Sequence, residues 1–84
     1  MNVAFTPRGW EDYEYGVETD PKIAARIRQL IKEITRDPYR GLGKPEPLKH
    51  AFKGYWSRRI DSEHRIVYRV AGGELLILQL RYHY

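Results

Sequence analysis

The sequence predicts an α+β domain: two N-terminal helices on a mainly antiparallel, twisted sheet, in the order β-α-α-β-β-β-β. An apolar stripe at helical spacing runs from Ile23 to Ile34, and short strand-like runs separated by glycines fill the second half. The length of 84 residues admits one layer of helices against one sheet, since so short a chain buries about 60–65% of its unfolded surface. A single domain spanning 1–84 follows, with no repeat, linker or low-complexity segment.

Each element has its own justification. Residues 2–6 alternate modestly and read as a first strand, ended by Pro7, Arg8 and Gly9. From about residue 8 to 19, Trp10, Tyr13 and Val17 recur at helical spacing while Glu11, Asp12, Glu14 and Glu18 fill the outer face. Gly16 inside this helix costs about 1 kcal/mol relative to alanine. Asp20 and Pro21 start a second helix, because the carboxylate accepts free amide hydrogens and proline suits the first helical position. Ile23, Ile27, Leu30, Ile31 and Ile34 make its core stripe, Arg26, Arg28, Lys32, Glu33 and Arg36 face outward, and Asp37 with Pro38 stops it. Residues 39–47, with two glycines, two prolines and two bases, read as a loop that carries Glu46. Strands are expected at residues 48–53, 55–60, 65–70 and 75–82, with turns at Gly54, at residues 61–64 and at Gly72 and Gly73.

Register decides which side chains share a face. Pairing Ile60 with Ile66 puts both on one face and leaves Arg59 and Arg65 together on the other. A three-residue loop in the last hairpin pairs Arg65 with Arg81 and brings His83 to that face, whereas a two-residue loop does not. The three-residue loop is the expectation, with Leu76, Leu78, Leu80 and Tyr82 toward the helices and Gln79, Arg81 and His83 on the working face.

Composition narrows the chemistry. The absence of cysteine removes disulfides, thiolate metal sites and cysteine nucleophiles, leaving His, Glu, Lys, Arg and Tyr. No apolar run reaches the ~20 residues a membrane span requires, and the first residues lack the pattern of a secretory signal, so a cytoplasmic address without membrane contact is expected. Residues 1–20 carry one base and five acids (−4), while residues 21–84 carry fourteen bases and six acids (+8). Arginines among aromatics on so basic a remainder are the electrostatic footprint of a nucleic-acid binder.

Cleavage of RNA without a metal or cofactor requires a base for the ribose 2′-OH, an acid for the leaving 5′-oxygen and cations around the phosphorane. Glu46, stiffened between Pro45 and Pro47 with Lys44 and Lys49 nearby, is the candidate base; a solvated loop glutamate is the plainer reading of that stretch alone. His83, penultimate and next to the closing carboxylate, is the candidate acid, with an unperturbed pKa near 6.5 and a neighbour that favours the imidazolium. Arg65 offers bidentate donors to phosphate, although strand-end arginines are usually just solvated. Arg58 and Arg59 point to opposite faces of their strand; Arg59 joins Arg65, and Arg58 is read as a salt-bridge partner or a surface residue. His50 and His64 read as ordinary surface histidines near turns, and a three-histidine zinc site has no ligand spacing behind it. Tyr84, Tyr82, Tyr55 and Trp56 are available to stack on splayed bases.

Four runs carry a resemblance: Gly43-Lys44-Pro45-Glu46-Pro47-Leu48-Lys49, Trp56-Ser57-Arg58-Arg59-Ile60, Glu63-His64-Arg65 followed by Val67-Tyr68, and Arg81-Tyr82-His83-Tyr84. Together they resemble the YoeB toxins, within the RelE-like group of bacterial toxin–antitoxin systems, over almost the whole chain. The resemblance implies a microbial-ribonuclease-like fold, cleavage of mRNA on the translating ribosome, neutralisation by a cognate YefM-like antitoxin, and contact with operator DNA only through the toxin–antitoxin complex. A homodimer is compatible with it. By the same resemblance Glu46 is the general base, His83 the general acid and Arg65 the main phosphate stabiliser. Lys49 and Arg59 are supporting cations, and Tyr84 shapes the site. The chain departs from the family's habit in its first strand and at Gly16, where a large aromatic is common. The rival reading is a RelE-like fold without nuclease activity, either a gyrase-poisoning relative or a basic RNA-binding module. Such a protein needs the basic face but not Glu46 and His83 together.

Overall fold

A computed structural model of the protein describes residues 1–82. Strand β1 (Asn2–Phe5) leads into α1 (Pro7–Thr19) and α2 (Pro21–Arg36); then come β2 (Glu46–Pro47), a 3-10 turn (His50–Phe52), β3 (Trp56–Arg59), β4 (Arg65–Ala71) and β5 (Glu74–Gln79). The strands form one sheet in the order β1-β5-β4-β3-β2. Among the described residues only the β1–β5 pairing is parallel, so the expected mainly antiparallel α+β architecture is present.

The second helix forms as its sequence dictates. Asp20 Oδ1 accepts from the Lys22 and Ile23 amides at 3.1 and 3.4 Å, Pro21 stands in the first turn, and Ala24, Ile27, Leu30 and Ile34 are buried. Ile27, Leu30 and Ile34 pack against Ile60, Ile66, Tyr68, Leu75, Ile77 and Leu80.

The first helix presents a different face from the expected one. Gly9, Asp12 and Gly16 are its buried residues, while Trp10 and Val17 are 48% exposed. Close approach explains the choice: a Cβ on Gly9 would stand 2.6 Å from the Ile77 carbonyl oxygen. Asp12 is tolerated inside because its Oδ2 accepts from the backbone amides of Leu80 and Arg81, at 2.9 and 3.2 Å. Phe5, Trp10 and Tyr13 cluster beside this contact, with ring centroids 5.5–6.0 Å apart.

Three further expectations are corrected. Residues 48–53 are not a strand: β2 lies earlier, at Glu46 and Pro47, and the chain then coils through His50, whose φ is +58°. Leu48, Ala51 and Phe52 repeat at spacings of three and one rather than two, which suits a turn and not a pleat.

Strand β3 pairs Arg59 with Arg65, and the Ile60 amide bonds His64 O at 2.9 Å, two residues short of the expected Ile60–Ile66 pairing. A shift of two preserves the faces, so Arg59 and Arg65 do share one side. Arg58 falls on the other and is fully buried, neither a surface residue nor, among the described residues, an ion-pair partner. Its guanidinium donates to Tyr68 Oη (3.1 Å) and to the carbonyls of Leu42 (3.1 Å), Asp37 (2.5 Å) and Arg40 (2.9 Å). Burial raises the Tyr68 phenol above its ordinary pKa, against the opposing pull of Arg58.

The last hairpin turns through Gly72 and Gly73 alone, both at positive φ (57° and 74°), and pairs Ala71 with Glu74. The extra residue is inserted further along: Tyr68 pairs with Ile77 but Val67 with Gln79, which makes Leu78 a bulge. Leu75, Ile77 and Leu80 therefore enter the core, not Leu76 and Leu78, and Tyr82 is 49% exposed. Beyond the bulge the register is the one a three-residue loop was expected to produce.

Candidate active site on the open sheet face

Cross-strand pairing assembles the site on the face away from the helices. Glu46 of β2 lies opposite Ser57 of β3, Ser57 opposite Val67 of β4, Val67 opposite Gln79 of β5, and Arg59 opposite Arg65. Partners across a ladder project to the same side, so Glu46, Ser57, Arg59, Arg65 and Gln79 share this face.

Arg65 is its centre. Its side chain is 10% exposed, its Nε donates to Ser57 Oγ at 3.0 Å, and its Nη2 stands 3.1 Å from Glu46 Oε1. Ser57 is fully buried, so its hydroxyl fixes the guanidinium from below while Glu46, half exposed, meets it from the rim. Nη1 is engaged by neither contact and can present further donors to an anion. Arg59, opposite Arg65 in the ladder, is exposed on the same face. Lys49 precedes the 3-10 turn and, with Glu46, lines an open depression that continues through Pro47, Leu48 and Phe52.

The structure thus brings Glu46, Arg65 and Arg59 together and sets Lys49 on the depression that Glu46 borders. His83 and Tyr84 lie outside the described residues. Arg81 does not join the open face: its guanidinium stacks 3.7 Å from the centre of the Tyr15 ring on α1, because Asp12 draws the backbone of Leu80 and Arg81 toward that helix. Ser57 was missed by sequence reasoning, although its alternation with Arg58 in β3 placed it on the face of Arg59. Gln79, 4% exposed and with no partner for its amide nitrogen among the described residues, was expected on this face and is there.

Two helices on one side of a mixed five-stranded sheet, with a carboxylate–guanidinium–hydroxyl cluster on the other, place the chain in the RelE-like fold class. Comparison makes the assignment particular. The family model for the YoeB-like toxin of bacterial type II toxin–antitoxin systems matches residues 5–84. "Toxin YoeB" of Streptomyces coelicolor is 55% identical over 84 residues, all of both chains. The YoeB/ParE toxin from Agrobacterium tumefaciens superposes with a TM-score of 0.98 at 49% identity, covering both chains completely. The YoeB–YefM complex from Staphylococcus aureus gives 0.92 at 42%, covering all of this chain and 98% of that one. The protein belongs to the YoeB-like toxin family.

Proposed function

We propose that this toxin is an endoribonuclease that cleaves translated mRNA on the ribosome and so stops protein synthesis. The observation that carries the reading is the Glu46–Arg65 pair, 3.1 Å apart on the sheet face away from the helices, with the carboxylate half exposed and the guanidinium largely buried. One guanidinium then bridges the candidate base and the position of a scissile phosphate.

The chemistry runs as an in-line displacement. Glu46 accepts the ribose 2′-OH proton, the 2′-oxygen bonds to phosphorus, the bond from phosphorus to the 5′-oxygen breaks, and the His83 imidazolium protonates that oxygen. The products are a 2′,3′-cyclic phosphate and a 5′-hydroxyl. Arg65, seconded by Arg59 and Lys49, meets the negative charge that grows on the phosphorane. An arriving phosphate competes with the Glu46 carboxylate for the Arg65 donors. Tyr84 shapes the site by stacking on a base. No metal or cofactor takes part.

Ribosome dependence follows from size. So small a domain has little surface with which to hold RNA in line, and positioning of reactants is among the largest contributions to rate. A YefM-like antitoxin is the proposed neutralising partner, supported by the Staphylococcus aureus complex, and operator DNA is engaged through that assembly. The site of action is the cytoplasm, where ribosomes translate; among the described residues no helix is long and apolar enough to cross a membrane.

Primer extension on mRNA translated in a purified system tests the reading. The wild-type chain is expected to cut only translated message, insensitive to EDTA. Glu46→Gln is expected to lose about 10²–10⁴-fold in rate, or roughly 3–5 kcal/mol, while remaining folded. Full cleavage by that variant rejects the base assignment. Trapped DNA–gyrase complexes, or RNA binding without scission, indicate the non-nuclease alternative.

A further inference from the structure

Beyond the open face, the chain leaves the sheet through a clamp that the reaction chemistry does not by itself require. The Tyr82 amide donates to His64 Nδ1 at 2.7 Å, and the Tyr82 carbonyl accepts from the Arg65 amide at 3.2 Å. Tyr82 itself has φ +63°, a left-handed conformation disfavoured for a bulky side chain. Strain of this kind persists where surrounding contacts over-determine it, and it concentrates at functional sites. Here both peptide groups of the strained residue are tied to consecutive residues at the start of β4.

The imidazole is held as firmly as the residue it holds. The His64 amide donates to Asp61 Oδ1 at 2.7 Å, its carbonyl accepts from the Ile60 amide, and its Nε2 meets Glu63 Oε1 at 2.9 Å. The His64 and Tyr82 rings meet edge to face, with centroids 5.2 Å apart. These partners define the tautomer: Nδ1 carries the lone pair that accepts from Tyr82, and Nε2 carries the proton directed at Glu63. An alanine or leucine in this place supplies no acceptor.

The geometry points to His64 as a positioning residue that fixes the left-handed turn at Tyr82, the residue that precedes the candidate acid His83 in the sequence. This deepens the nuclease reading and rests on it, because a general acid displaced by about 1 Å loses on the order of 10²-fold in rate. His64 touches neither substrate nor reacting atoms in this scheme; it acts through the backbone of Tyr82.

The test compares His64→Leu, which keeps bulk without an acceptor, with His64→Asn, whose Oδ1 replaces Nδ1 as the acceptor. Single-turnover cleavage on programmed ribosomes and ribosome affinity are measured, together with exchange of the Tyr82 amide by NMR. In His64→Leu the cleavage step should fall about tenfold or more with affinity changed less than about twofold, and the Tyr82 amide should lose protection. His64→Asn should restore both. An imidazole nitrogen spectrum of the wild-type protein should show the proton on Nε2. Three results overturn the proposal: an unprotected Tyr82 amide in His64→Leu alongside wild-type cleavage, His64→Asn as impaired as His64→Leu, or a wild-type proton on Nδ1. The last holds even if His64→Leu fails to fold. Absence of cleavage by the wild-type chain instead counts against the nuclease reading, while tautomer and exchange still decide the clamp.

Discussion

Replacing Arg58 by leucine removes a buried cation that serves four acceptors: Tyr68 Oη and the carbonyls of Asp37, Arg40 and Leu42. Each buried group left without a partner costs about 1–3 kcal/mol. The loop carbonyls can turn partly to water, so the sum is reduced, and a loss of about 3–5 kcal/mol is expected, the range for breaking one member of a buried polar set. A domain of 84 residues has about 4–13 kcal/mol of stability in all. At about 4–8 °C per kcal/mol, the melting temperature should drop by at least about 12 °C. Urea unfolding followed by tryptophan fluorescence reads this directly, since Trp56 lies two residues away and its ring sits 4.8 Å from that of Tyr39 at the base of the same loop. The exposed neighbour supplies the control: Arg59→Leu should change stability by less than about 0.5 kcal/mol. Equal unfolding midpoints for the two variants would refute the assignment of opposite faces.

Other outcomes follow from packing and ionisation. Gly16→Ala should stabilise by about 0.5–1 kcal/mol, because the new Cβ meets Ile23 and Ile27 at an ordinary 3.7 and 3.9 Å and removes a helix glycine. Gly9→Ala should instead cost about 1–3 kcal/mol, since its Cβ would stand 2.6 Å from the Ile77 carbonyl oxygen; chemical denaturation of both variants gives the signs, and stabilisation of both contradicts the helix placement. The Tyr68 phenol holds its proton more tightly folded than unfolded, because burial raises its pKa. Its contribution to stability is therefore complete below the unfolded value of about 10 and declines as the pH rises through the raised folded value. Wild-type stability should fall more steeply above about pH 10 than that of Tyr68→Phe; parallel curves would show that the phenol is not desolvated.

How much was legible depended on whether the deciding interaction was local. The second helix was read correctly because its cap, first-turn proline and apolar stripe all lie within the segment. The buried face of α1 was misread because Asp12 is satisfied by the amides of Leu80 and Arg81, 68 and 69 residues away. Arg58 was misread for the same reason: its acceptors lie 16–21 residues back in an irregular loop that has no period. Alternation correctly grouped Arg59 with Arg65 even though the pairing was two residues out, since a shift of two leaves every side chain on its face. The bulge at Leu78 has no marker in a run of leucines and isoleucine, and it moved Leu75 and Ile77 into the core.

The placement of Glu46 follows from this two-sided use of β3. Arg58 reaches through the core side to bind the carbonyls of Asp37, Arg40 and Leu42, and the Arg59 amide bonds the Gly43 carbonyl at 2.6 Å. At Gly43, with φ +86°, a Cβ would lie 3.0 Å from the Arg59 carbonyl oxygen, so only glycine admits this approach without displacement. The loop that delivers Glu46 is thus tied to the strand that carries Ser57, and Ser57 orients Arg65. The flanking Pro45 and Pro47 stiffen the same segment. A slip of β3 by one residue would send Arg59 into the core, expose Arg58 and turn Ser57 away from Arg65. The burial of Arg58 therefore specifies register as well as stability, and the distance from carboxylate to guanidinium is set by the core beneath it.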